Sequence, residues 1–158
     1  MLRDGDRYVV CGLVTMLTGE GAKATGVVGV SWGEKLKWNS GMKVSSNTVN
    51  RKTATIWGIL VALGVASARG YERIMVATEN PDFARGVFRE LEEGKLEGSE
   101  AYAGLVRKYK EYKARGVTAV APDANEIAGI KSSNLKVLED AKKIAKKTFE
   151  AAKKEAKP

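Results

Sequence analysis

The chain contains no histidine, and Cys11 is its one cysteine. Histidine is the commonest general base and the commonest transition-metal ligand. Ser–His, Cys–His and His–metal mechanisms are therefore excluded by composition. A lone cysteine also excludes an intrachain disulfide and a cysteine-based zinc site. Any catalysis has to rest on carboxylates, lysines or hydroxyls, and the carboxylates are unevenly spread. None lies between Asp6 and Glu20, and none between Glu34 and Glu72. Cys11 sits in an apolar run with no histidine to activate it, so it reads as a small buried hydrophobe and not as a nucleophile.

The cations are the more prominent chemistry. There are 27 basic residues against 19 acidic ones, a net charge of +8. Such a balance suits a polyanionic partner, nucleic acid above all, or simply a soluble lysine-rich surface. Two groups stand out. Lys35, Lys37, Trp38, Asn39, Lys43, Asn50, Arg51 and Lys52 lie close in sequence around an expected third strand and the start of the first helix. Trp38 can stack on a sugar or base there. The second group is the C-terminal tract of Lys131, Lys136, Lys142, Lys143, Lys146, Lys147, Lys153, Lys154 and Lys157. It is diluted only by Glu139, Asp140, Glu150 and Glu155. It reads equally as a phosphate-contacting face or as the solvated side of an amphipathic helix.

The elements that must position these residues can be read from periodicity. Tyr8 to Leu17, Thr25 to Trp32 and Leu36 to Ser45 are β-rich segments separated by turn residues, which predicts an antiparallel meander. The glycines of the second segment allow a close approach or a bulge. Ser46, Asn47 and Thr48 are helix-capping types, and a long, almost wholly apolar helix is expected from about Asn50 to Ala68, stopped by Gly70. Arg73 to Thr78 reads as a buried strand. Asn80-Pro81-Asp82 opens a helix running to about Glu93, and Ser99 to Arg115 is a third helix. Tyr102, Tyr109 and Tyr112 lie on one side of it as packing or as an interaction face. Val117 to Ala121 is a fifth strand. Leu135 to about Ala156 is a closing helix whose apolar stripe is Leu135, Leu138, Ala141, Ile144, Ala145, Thr148, Phe149 and Ala152. Trp32 and Trp57 read as core. The order β-β-β-α-β-α-α-β-α predicts an α/β fold with a five-stranded mixed sheet and helices on its faces. All 158 residues form a single expected domain, ordered over about 7–152, with a fraying tail at 153–158. No signal peptide or membrane-spanning segment is visible, which leads us to expect an intracellular protein, in the cytoplasm or nucleus.

This order and length resemble the ribonuclease H-like superfamily, of the ribonuclease HI type. Several motifs carry the resemblance. Cys11-Gly12 stands where that family has Asp-Gly in its first strand. Thr48-Val49-Asn50-Arg51 is similar to the Thr-Asn-Asn-Arg segment that leads into its first long helix. Thr78-Glu79-Asn80 is similar to its Thr-Asp-Ser. The stretch from Leu138 to Lys146 is similar to its closing helix. Family members cleave the RNA strand of RNA–DNA hybrids with two divalent ions held by four carboxylates. Ions about 3.5–4 Å apart need that negative charge to stay together.

Carried over by the resemblance, the four positions here are Cys11, Thr53 or Thr55, Glu79 and Lys142. The chain is therefore expected to be a degenerate member, a pseudo-ribonuclease H similar to modules of retroelement origin. It is expected to bind RNA or RNA–DNA hybrid, with no catalytic residue, no metal site and no cofactor. In the family, the side holding Lys35 to Lys52 tracks the hybrid backbone. One alternative is a scaffold for a protein partner that uses a helix face or sheet edge. The other is a surviving Mg²⁺-dependent nuclease rearranged around Glu79. It would draw on Asp140, or on Asp123 and Glu126 in the loop where active relatives often carry a histidine.

Overall fold

Val9–Thr18, the run densest in apolar and β-branched residues, forms the strand at the centre of the sheet, β1. The computed structural model describes residues 9–18, 25–32, 38–44, 49–96, 100, 102–122 and 132–156, with only the backbone of 132–135 and 154–156. The strands β2 (Thr25–Ser31) and β3 (Ser40–Lys43) pair antiparallel in sequence order, Val14 facing Gly29 and Gly29 facing Gly41. Helix α1 (Arg51–Arg69) then crosses to β4 (Arg73–Thr78), which lies parallel to β1. Two further helices, α2 (Pro81–Glu93) and α3 (Ala103–Ala114), precede β5 (Thr118–Val120), which is parallel to β4. Helix α4 (Ser132–Ala156) closes the chain. The sheet order is β3-β2-β1-β4-β5, a five-stranded mixed α/β sheet with the expected order of elements.

The two sheet faces are covered differently. Cys11, Leu13, Val30, Ile74 and Val76 point to the side of α1, α2 and α3, where they join Ile56, Ile59, Leu63, Val87 and Val106 in the main core. On the opposite face lies α4. A Cβ on Gly12 would come within 2.8 Å of the Leu138 nitrogen, and one on Gly29 within 2.6 Å of the Ala145 nitrogen. These glycines let the helix backbone settle almost onto the strands, with Ala141 and Ala145 fully buried between them.

Several boundaries differ from expectation, each for a local reason. The expected third strand shortens to Ser40–Lys43. Trp38 and Asn39 precede it because Trp38 packs its ring on Tyr71 and the Asn39 Oδ1 accepts the Trp32 N–H at 2.7 Å. The expected caps Ser46, Asn47 and Thr48 lie outside the described residues, and the cap of α1 is Asn50. Its Oδ1 accepts the Thr53 N–H and its own N–H donates to the Thr53 hydroxyl, both at 2.9 Å. Gly70 ends α1 in the left-handed region, φ 76°, as a stop glycine should. Helix α3 begins at Ala103, later than expected, and α4 at Ser132, earlier. Among the described residues no helix is long and apolar enough to cross a membrane.

Candidate functional site

Strand β4 ends at Thr78, level with Leu13, while β1 runs on to Thr18, and a cleft of about 220 Å³ opens there beside the first turns of α1 and α2. Strand β1 contributes Leu13, Thr15 and Leu17 to it, and β4 contributes Thr78, followed by Glu79 and Asn80. Arg51 and Thr55 come from α1, and Phe83 from α2. The helix starts are held by side-chain caps, Asn50 on α1 and Asn80 on α2, whose Oδ1 accepts the Phe83 N–H at 3.2 Å. The positions of Arg51 and Phe83 follow from those caps. Their side chains meet, with the guanidinium carbon 4.7 Å from the ring centroid, a cation–π contact.

The described lining of this cleft carries few charges, Arg51 and Glu79, with Lys142 reaching in from α4. Among the described residues Glu79 is its one lining carboxylate, and the ammonium of Lys142 lies 3.5 Å from it. Both side chains are largely exposed. The Thr55 hydroxyl donates to the Arg51 carbonyl at 2.7 Å. The Thr78 hydroxyl has no partner although the residue is only 8% exposed. Among the described residues no three acidic or cysteine side chains gather to hold a metal ion. The described lining, one carboxylate paired with an ammonium and set next to a guanidinium, does not by itself fit a pair of divalent ions.

Three of the four positions carried over from the resemblance meet here, and one does not. Of the two candidates from α1, Thr55 lines the cleft. Thr53 is fully buried as the partner of the Asn50 cap. Glu79 and Lys142 face each other. Cys11 lies elsewhere, a correction to the expected site. It is level with Val76 in the strand register, while Leu13 is level with Thr78. Cys11 is therefore two residues deeper, with no exposure. Burial raises the pKa of its thiol far above the ordinary value, and a backbone hydrogen bond only partly opposes this. The cleft residues of β1 include Leu13, Thr15 and Leu17, none of which the motif resemblance pointed to. The pairing register with β4 would have revealed them, and it is not written in either strand alone.

The expected nucleic-acid residues do not form one cluster. Lys35 and Lys37 lie outside the described residues, as do Asp123 and Glu126. Trp38 lies beside Arg69, whose guanidinium carbon is 4.2 Å from its ring centroid, and edge-on to Tyr71 at 5.9 Å. Arg69 ends the helix that Arg51 begins. At about 1.5 Å per residue those ends are some 27 Å apart. Trp38 and Asn39 are therefore remote from Asn50, Arg51 and Lys52, and the Trp38 ring carries a cation and an aromatic edge where a base was expected. Lys43 is exposed on β3 at the sheet edge. Asn50 serves as a cap. The Lys52 ammonium pairs with Glu90 at 2.9 Å, and that hydrogen bond raises its pKa against the opposing effect of burial. Of the six that are described, Arg51 alone lines the cleft. On α4, Lys136, Lys142, Lys143, Lys146, Lys147 and Lys153 are exposed, which continues positive charge away from Glu79.

The fold has a solved counterpart. The chain is similar to the crystal structure of RNase H1 from the halophilic archaeon Halobacterium salinarum NRC-1, with a TM-score of 0.53 at 12% sequence identity. The match covers 90% of this chain and 98% of that one. The chain therefore has a ribonuclease H-like fold. No family model matches the sequence, and no curated protein matches it.

Proposed function

We propose that this ribonuclease H-like domain binds nucleic acid, RNA or an RNA–DNA hybrid, through a basic surface and does not cleave it by a two-metal mechanism. One observation carries the reading. Among the described residues, the charged and hydroxyl side chains lining the cleft are Arg51, three threonines and a single carboxylate, Glu79, which Lys142 engages. Two Mg²⁺ ions would meet a net positive site there, whereas a phosphate would be attracted to it. The overall charge of +8 and the exposed lysines of α4 extend that attraction beyond the cleft. Recognition would then rest on phosphate neutralisation and the shape of the groove, not on base identity. The same reading places the protein inside the cell, where such ligands are.

The test is a titration of labelled single-stranded RNA, duplex RNA, duplex DNA and hybrid at two salt concentrations, with Mg²⁺ present and any cleavage recorded. Binding without cleavage is expected, with the logarithm of the affinity falling by about 0.7–0.9 per phosphate contact for each decade of salt. Absence of binding to all four ligands would refute the reading. Mg²⁺- or Mn²⁺-dependent cleavage lost in Glu79→Gln would replace it with a rearranged nuclease. A protein-interaction scaffold is the second reading. An apolar groove of about 610 Å³ between α1 and α3, lined by Trp57, Leu60, Val65 and Leu105 with the exposed Met42 at its side, favours it. Partner binding that is insensitive to salt would support that alternative.

A further inference from the structure

We propose that the cleft at the ends of β1 and β4 is a phosphate site in which Glu79 acts as an internal stand-in anion, so that a bound phosphate takes over Lys142 from it. The inference rests on the nucleic-acid reading and assigns that surface its central contact and a built-in competitor.

Three observations converge on it. The first is the imbalance of donors and acceptors. Arg51, on the first turn of α1, brings a fork of N–H groups suited to phosphate oxygens. Its packing on the Phe83 ring, at 4.7 Å, holds the guanidinium in place before any ligand arrives. The second is Thr78. It is only 8% exposed, it lines the cleft, and its hydroxyl has no partner. The hydroxyl of Thr55 beside it is engaged by the Arg51 carbonyl, so the donor left for a ligand oxygen is that of Thr78. The third is the ion pair itself. Lys142 and Glu79 are 3.5 Å apart with side chains 67% and 48% exposed. A pair so solvated is worth little and is easily exchanged for another anion.

The proposal predicts a sign. A carboxylate that holds a metal supports ligand binding, and its removal weakens it. A carboxylate that stands in for phosphate repels the ligand and occupies its lysine, and its removal strengthens binding. Glu79→Gln should raise affinity for a labelled RNA–DNA hybrid by roughly two- to fivefold, the range an exposed ion pair supports. Thr78→Val, close in shape, should lower it by about tenfold, as loss of a hydrogen bond to a charged group does. Lys142→Gln should lower it as well and shrink the gain from Glu79→Gln to the part that comes from direct carboxylate–phosphate repulsion.

The experiment measures hybrid affinity for the full chain and these variants. In parallel it follows the melting temperature of each with inorganic phosphate, which also shows whether the variants remain folded. Increased affinity in Glu79→Gln with decreased affinity in Thr78→Val upholds the site. Wild-type binding that Glu79→Gln leaves unchanged or weakens overturns the site while the nucleic-acid reading stands. If no nucleic acid binds but inorganic phosphate raises the melting temperature, more so in Glu79→Gln, the site stands and its ligand is a free phosphate or phosphate ester. If neither probe binds, both readings fail.

Discussion

The side chain of Asn50 accepts the Thr53 amide while the Thr53 hydroxyl accepts the Asn50 amide, so two residues satisfy two otherwise orphaned donors at the start of α1. Sequence proximity to Arg51 and Lys52 made Asn50 a candidate ligand contact, but in the fold it anchors the helix. The two roles can be separated. Asn50→Ala should cost about 0.5–2 kcal/mol of stability, as loss of an N-cap does, in urea unfolding. Below its melting temperature this variant should keep most of its nucleic-acid affinity, whereas Arg51→Gln should keep its stability and lose affinity. Loss of affinity in Asn50→Ala equal to that in Arg51→Gln would return Asn50 to the binding surface. Among the candidate site residues, the types were legible and the directions were not. Glu79 and Lys142 are 63 positions apart, and only the packing of α4 beneath the sheet brings their charges together.

At the scale of elements, the apolar stripe of α4 was readable from its periodicity, and Ala141, Ala145, Phe149 and Ala152 are indeed buried. The glycines of the second strand, Gly29 among them, were also readable as sites of close approach, and Gly12 was not. What approaches them was not legible in either case. Gly12 and Gly29 receive the backbone of α4, a contact between segments more than a hundred residues apart. Replacing Gly29 with Ala would put a methyl group 2.6 Å from the Ala145 nitrogen, and a helix backbone cannot step aside as a side chain can. We expect a loss of about 1–3 kcal/mol or more in urea unfolding, the usual cost of overpacking. Gly86→Ala on α2, where an added Cβ meets nothing within 4 Å, should instead be stabilising by up to about 1 kcal/mol. A neutral Gly29→Ala would mean that α4 does not lie against β2 as described.

For the whole molecule, polar links join helices that share the main core, and the link between α2 and α3 is the one that pH can test. The Tyr109 hydroxyl on α3 donates to Glu92 on α2 at 2.5 Å, and the Lys113 ammonium pairs with the same carboxylate. Burial acts to raise the pKa of Glu92, but the hydrogen bonds from Lys113 and Tyr109 and the charge of Lys113 outweigh it, so the net shift is downward from the ordinary 4.5. A carboxyl with a lowered folded pKa contributes stability that is fully present above its ordinary value and is lost as pH falls through the folded one. Melting temperatures measured from pH 6 down to pH 3 should therefore fall more steeply for the wild type than for Glu92→Gln. Parallel profiles would show that the link contributes nothing to global stability. The tyrosines of α3 were read from sequence as either packing or an interaction face. Tyr109 is packed, and its buried hydroxyl is satisfied by Glu92.

The sequence by itself determined the order of elements, because hydrophobic periodicity and turn chemistry are local. It also determined that neither β1 nor α1 can supply a carboxylate, since no acidic residue lies between Asp6 and Glu20 or between Glu34 and Glu72 in any register. The burial of Cys11 was legible from its apolar run, but tertiary structure alone decided that Leu13 and Thr15, two and four residues further on, face the cleft. It alone decided that Trp38 and Arg51 sit at opposite ends of α1 and that Lys142 meets Glu79. The physical reason is that strand pairing and helix docking join residues distant in the chain. Their offsets are fixed by long-range hydrogen bonds and packing, which leave no periodic trace in either segment.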